Sequence, residues 1–255
     1  MLFDTHIHLD RFPAGSDVDA AVTAGRTAGV GSYLVPGVDR AGWGAVREVV
    51  ERTEGALAAY GLHPLAADEW DRECCDDLVA LLRGPGVVAV GEIGLDRYVE
   101  VPIARQEQVF REQVQVAVSL AMPIVIHCRK MPGRLLGILE EEGAGQVGGI
   151  MHAFSGSRQT AEKAMQLGFV LSFGGAITYP EARRAIEVLE HLPDEAIVIE
   201  TDAPDMAPHP HRGEVNRPVW LELVLARLAG IRGWSRDEAA DITSANARRI
   251  LKRDK

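Results

Sequence analysis

The stretch Leu2-Phe3-Asp4-Thr5-His6-Ile7-His8 decides how the rest of the chain is read. Side chains of an extended strand alternate between faces, so His6 and His8 point the same way, two imidazoles side by side at the strand's end. Such a pair can hold a metal, although the spacing alone more often marks histidines hydrogen-bonded in half-buried sites. Recurrence gives it weight. Glu92, His127, His152 and Asp202 each close a short apolar run, and a single metal centre accounts for all of them.

Working outward, short apolar runs alternate with longer amphipathic segments. The pattern predicts strands over 1–8, 31–36, 56–62, 87–94, 123–128, 147–153, 169–174 and 196–202. It predicts helices over 17–29, 40–53, 70–82, 104–120, 133–142, 157–167, 180–191, 217–229 and 235–251. Strands such as Val87-Val-Ala-Val90 and Ile197-Val-Ile199 read as buried on both faces. Eight strands alternating with helices predict an α/β fold, a (β/α)8 TIM barrel formed as one domain over 1–255. A doubly wound open sheet is the structural alternative, but it would spread the candidate ligands along an edge instead of around a ring. Ser157 and Ser235 stand at helix N-caps, with Ser235-Arg-Asp-Glu238 spaced as a capping box, and Gly29, Gly143, Gly168 and Gly230 are expected just past helix ends. The irregular, Pro-rich stretch 203–216 follows the last strand, where a loop of that length is more often functional than accidental.

In a barrel of this kind the strand C-termini face one rim, which is where active sites lie. His6 and His8, Glu92, His127, His152 and Asp202 would converge there as imidazoles and carboxylates suited to a divalent ion. A net charge of −10 argues against broad attraction to nucleic acid without excluding a local positive cleft. Cys74 and Cys75 are adjacent and Cys128 lies in another element, so no disulfide framework is expected and a reducing cytoplasm fits. Neither a secretory signal nor a membrane-length apolar run is visible. Ser155 lacks a Gly-x-Ser-x-Gly elbow, no phosphate-binding Gly-x-x-x-x-Gly-Lys loop is present, and Cys128 points away from the face of His127; serine, cysteine, redox and ATP-driven chemistry have no support.

At this point the chain resembles the TatD-type metal-dependent deoxyribonucleases of the amidohydrolase superfamily. The matching segments run in order from end to end: Asp-Thr-His-Ile-His at 4–8, Gly-Leu-His-Pro at 61–64, Gly-Glu-Ile-Gly-Leu-Asp at 91–96, Ile-His-Cys-Arg at 126–129, His-Ala-Phe-Ser-Gly at 152–156, Glu-Thr-Asp-Ala-Pro at 200–204, Arg-Gly-Glu-Val-Asn-Arg-Pro at 212–218 and Asn-Ala-Arg-Arg-Ile-Leu at 246–251. Gly-Gly-Ala-Ile-Thr-Tyr-Pro at 174–180 with Ala-Pro-Asp-Met at 203–206 is most similar to a bacterial subgroup of uncharacterised metal-dependent hydrolases.

The resemblance implies two divalent metal ions, magnesium, manganese or zinc. His6, His8, Glu92 and Asp202 would hold the first, and Glu92, His127 and His152 the second, with Glu92 bridging. It further implies a deoxyribonuclease that hydrolyses phosphodiesters in the manner of a 3'-5' exonuclease, DNA being its partner, with Asp202 as general base. His63, Arg129, Arg212 and Asn216 are the candidate substrate contacts, and Glu200 the candidate partner orienting a ligand histidine. The alternative function is hydrolysis of a carbonyl ester or amide, such as an aminoacyl-tRNA linkage or a small metabolite. No protein partner and no membrane contact are expected. The departures from the family pattern lie outside the six ligands: Lys130-Met131 where relatives often carry an acidic residue, Arg97 where an aromatic is common, and Ala153 in place of a frequent Cys.

Overall fold

In the computed structural model, which describes residues 1–252, strands and helices alternate as the sequence predicts; the last three residues of the expected 1–255 domain lie outside the described residues. The order is β1 (Leu2–Asp4), α1 (Val18–Thr27), β2 (Val30–Pro36), α2 (Trp43–Arg52), β3 (Ala56–Tyr60), α3 (Arg72–Leu81), β4 (Val87–Asp96), α4 (Ile103–Ser119), β5 (Ile124–Arg129) and α5 (Pro132–Glu141). It continues with β6 (Gly149–Met151), α6 (Arg158–Gln166), β7 (Phe169–Phe173), α7 (Arg183–His191), β8 (Ile197–Ile199), α8 (Leu221–Arg232) and α9 (Arg236–Ile250). Each strand pairs in parallel with the next, from β1 through β8. The ring closes where Thr5 N–H and its hydroxyl both donate to Ile199 O, at 3.1 and 2.9 Å. This is the TIM barrel, and the open-sheet alternative is excluded.

Strand alternation explains the two apolar layers. Phe3, Leu34, Leu57, Val88, Val125, Ile150, Val170 and Val198, one from each strand, form a single buried cluster. Only the interior of a closed barrel brings residues of all eight strands together. Their neighbours in sequence, such as Tyr33, Ala58 and Ile126, face outward into the larger cluster shared with the helices. Ala247 and Leu251 at the end of α9 join the inner cluster, so the last helix seals the barrel.

Local chemistry sets the helix ends. Asp17, Asp71, Ser157 and Ser235 accept from the third backbone N–H of their helices, and Ser235 completes the capping box with Glu238. Gly29, Gly143 and Gly168 take left-handed backbone as expected. Gly230 does not: α8 runs through it to Arg232, and Gly233, with φ 68°, is the residue that ends the helix. The apolar face carried by Leu225, Leu228 and Ala229 holds that extra turn in place despite the weak helix propensity of glycine.

The larger departure concerns strand length. β1, β6 and β8 are three residues each, so His6, His8, His152 and Asp202 lie beyond the ladder in extended or turning backbone. β4 behaves oppositely: its ten residues run past Glu92 to Asp96, with an irregular register between Val90 and Ile93.

Candidate active site

All six predicted donors meet at the C-terminal mouth of the barrel. His6 is fully buried, and His8, Glu92 and His152 are nearly so. One carboxylate lies at the centre of the group. Glu92 Oε2 faces His6 Nε2 at 3.3 Å and His8 Nε2 at 3.8 Å, while Oε1 faces His127 Nδ1 at 2.8 Å and His152 Nε2 at 3.1 Å. Asp202 Oδ1 lies 3.8 Å from both His6 Nε2 and His8 Nε2. Its backbone, at φ 58°, turns left-handed and donates to His6 O, which ties the end of β8 to the end of β1.

The arrangement fits divalent ions on two observations. His6 Nε2 and His8 Nε2 stand 3.2 Å apart inside the protein. Two imidazole nitrogens bound to one ion at about 2.1 Å are separated by roughly 3.0–3.4 Å, so the spacing is that of shared ligation. In addition, four imidazoles and two carboxylates gather here, and every ion-pair partner of Glu92 and Asp202 among the described residues is an imidazole; cations must come from the imidazoles or from outside. Burial pushes His8 down to about 3, leaving it a neutral donor, and pushes Asp202 up to about 6. Burial also opposes the charges on Glu92 and His152. Their mutual attraction, with His6 acting on Glu92 and Glu200 acting on His152, outweighs it, holding Glu92 well below and His152 well above their ordinary values.

Around these donors sits a set of bracing contacts. Glu200 Oε1 accepts from Ala153 N–H at 2.7 Å and faces His152 Nδ1 at 3.3 Å, leaving Nε2 of that ring toward Glu92. Asp96 does the same for His127: its Oδ2 lies 3.1 Å from Nε2 while Nδ1 faces Glu92, and its Oδ1 accepts from Tyr98 N–H. Gln106 grips the Asp96 backbone from both sides. No role for Asp96 follows from strand-end reasoning, because the apolar pattern ends this strand at Gly94; period-two counting from Glu92 through Gly94 places Asp96 on the same face. Asp4 has no role in the sequence pattern either. It is completely buried, accepts from Thr201 N–H and its hydroxyl at 2.9 and 2.6 Å, and burial pushes its carboxyl up to about 8.

The expected substrate contacts divide. His63, Arg129 and Arg212 line the mouth, a cavity of about 1170 Å³. His63 Nδ1 accepts from Leu65 N–H at 3.1 Å, so Nε2 carries the hydrogen. The Arg129 guanidinium sits 4.9 Å from the centre of the Tyr98 ring, and Arg212 pairs with Glu181 over Tyr179. Asn216 is a correction. It is fully buried and absent from the mouth, donating to Thr201 O and Asp205 O and accepting from Arg217 N–H, so its amide folds the 203–216 loop instead of meeting substrate. Among the described residues no helix is long and apolar enough to cross a membrane.

The chain has relatives among known proteins. The uncharacterized metal-dependent hydrolase YabD of Bacillus subtilis is 37% identical over 253 residues, covering 99% of each chain. The 3'-5' ssDNA/RNA exonuclease TatD of Citrobacter koseri is 33% identical over 260 residues, covering 98% of each. The crystal structure of YjjV, a TatD homolog from Escherichia coli K12, superposes with a TM-score of 0.91 at 34% identity, covering 98% of this chain and 97% of that one. Residues 3–252 match the family described as TatD related DNase, and the chain belongs to that family.

Proposed function

We propose that this metal-dependent hydrolase of the TatD family cleaves phosphodiester bonds of single-stranded DNA from an end, with His6, His8, Glu92 and Asp202 holding one divalent cation and Glu92, His127 and His152 a second. The observation that carries the proposal is the split of the Glu92 carboxylate, one oxygen toward the β1 histidines and the other toward His127 and His152. A carboxylate shared in this way suits two ions a few ångströms apart. When bound, such a pair supplies positive charge to a phosphodiester and acidifies water.

The remaining work falls to the chain's own groups. Asp202, whose Oδ1 stands 3.8 Å from the Nε2 atoms of both His6 and His8, is the proton acceptor for the attacking water. His63 presents Nε2–H to a non-bridging phosphate oxygen, and the unpaired Arg129 guanidinium offers a fork to the same group. Asp96 and Glu200 orient the His127 and His152 rings so that the other nitrogen of each faces Glu92. Support for a nucleic acid substrate comes from the exonuclease name of the Citrobacter relative and from the cations along the mouth.

The test is direct. Metal-stripped protein is given single-stranded DNA labelled at each end, with magnesium, manganese or zinc restored, beside Asp202→Asn. Shortening from one labelled end that needs metal and Asp202 is the expected result. A fully loaded protein that leaves DNA intact but hydrolyses carboxylic esters or amides would replace this reading with the carbonyl one.

A further inference from the structure

A second cavity of about 250 Å³ opens beside the mouth and shares the wall formed by Cys128, His152, Ala153, Phe154 and Ser155 with it. His152, one of the six donors, therefore lines both. Two cations enter it from different elements: Lys130 from the turn after β5, and Arg184 from the first turn of α7. Both are exposed, and among the described residues neither has a carboxylate within ion-pairing distance. On the mouth Arg129 is likewise unpaired, whereas the other two arginines are not. Arg11 is paired with Asp39, and Arg212 with Glu181. The hydroxyl of Ser155 also lines the cavity, as does the amino end of α6, where Ser157 and Thr160 lie and where first-turn N–H groups favour an anion. Glu181, paired with Arg212, and Asp205 line the mouth but not this pocket. In a protein of net charge −10, these two unpaired cations give the pocket beside the reacting centre a positive wall.

We infer that this side pocket is a subsite for the phosphate adjoining the scissile one, with Lys130 and Arg184 as its cationic walls. The inference rests on the phosphodiesterase reading above and adds to it a direction: the strand leaves the metal centre past His152 into the pocket between Lys130 and Arg184, which Glu181 and Asp205 do not line. Lys130 and Arg184 are binding residues that select a polynucleotide over a lone diester, and they take no part in the bond cleavage.

Two readouts on Lys130→Gln/Arg184→Gln test it. Anisotropy of a fluorescein-labelled single-stranded 10-mer, measured in an Asp202→Asn background over a salt series, should show the slope of log affinity against log salt falling by about 1.4, roughly 0.7 for each cation removed from the phosphate backbone. With the Asp202 enzyme, the ratio of kcat/KM on the 10-mer to kcat/KM on bis(p-nitrophenyl) phosphate should fall about tenfold through KM, since the small diester has no second phosphate. An unchanged salt slope and an unchanged ratio, in a protein that does bind and shorten the 10-mer, would overturn the subsite and leave the nuclease reading standing. A parent protein that hydrolyses the small diester but neither binds nor shortens the 10-mer would overturn both.

Discussion

The two sides of the metal-type cluster are held by different means. On the β4/β5 side the strands are ten and six residues long, their pairing continues through Gly94 with His127 to Asp96 with Arg129, and the ladder itself carries the donors. On the β1/β8 side each strand stops after three residues, before the first donor. There the backbone is fixed by side chains: Asp4 on Thr201, Thr5 on Ile199 and Ser172, and Asn216 on the carbonyls of Thr201 and Asp205. The difference teaches that a barrel rim can place a ligand either by extending a ladder or by replacing it with buried polar bonds. The second route depends on every one of those bonds being made.

The largest effect that bears on this comparison is expected at the chemical group the β1/β8 side exists to place. Asp202→Asn should lower kcat on labelled DNA by about 10²–10⁴-fold with binding of the same DNA retained, the range for losing a general base. Comparable loss in DNA binding would make Asp202 a substrate contact instead. Next in size is the contact that aims His127 from the long-strand side. Asp96→Asn should weaken metal affinity by about 10–100-fold in a chelator competition, with thermal stability nearly unaltered because the ladder remains. Unchanged affinity would show that β5 alone orients the ring.

The braces on the short-strand side should answer in stability. Asn216→Ala leaves the buried Thr201 carbonyl and the part-buried Asp205 carbonyl without their donor and should cost about 1–3 kcal/mol in a denaturant titration, several times the effect of removing an exposed pair such as Arg158 with Glu162. A loss no larger than that of the exposed pair would mean that the loop holds itself. A further effect on the same side is read as a pH slope. Burial raises the Asp4 carboxyl from 3.8 to about 8, so between those values the folded chain binds more protons at this position than the unfolded chain. Its contribution to stability is full below 3.8 and is lost as pH rises through about 8. Asp4→Asn stays neutral, so its stability relative to the parent should climb across that window; parallel pH curves for the two proteins would contradict the burial argument.

The barrel is legible in the sequence because eight apolar runs alternate with amphipathic segments, and because the closing residues of those runs are of one chemical kind. His6, His8, Glu92, His127, His152 and Asp202 can all be picked out by that rule. Yet alternation within a strand is not what brings His6 and His8 together, since β1 ends at Asp4 and the two rings converge through a loop fastened to Asp202 and Ala203. Asp96 carries a periodic signal that is hidden when β4 is ended at Gly94. Asp4 and Asn216 carry none: their partners lie 197 and 15 residues away, and only closure of the ring brings Thr201 to both. Gly230 misleads because glycine ends helices often, whereas here the apolar face of α8 continues past it.

Metal content tests the central claim most directly. After loading and exhaustive dialysis, mass spectrometry of the parent protein and of Glu92→Ala, each verified as folded by circular dichroism, should find two divalent ions per chain in the parent and at most one in the variant. Two ions retained without the Glu92 carboxylate, or never more than one in the parent, would contradict the bridging role on which the account rests.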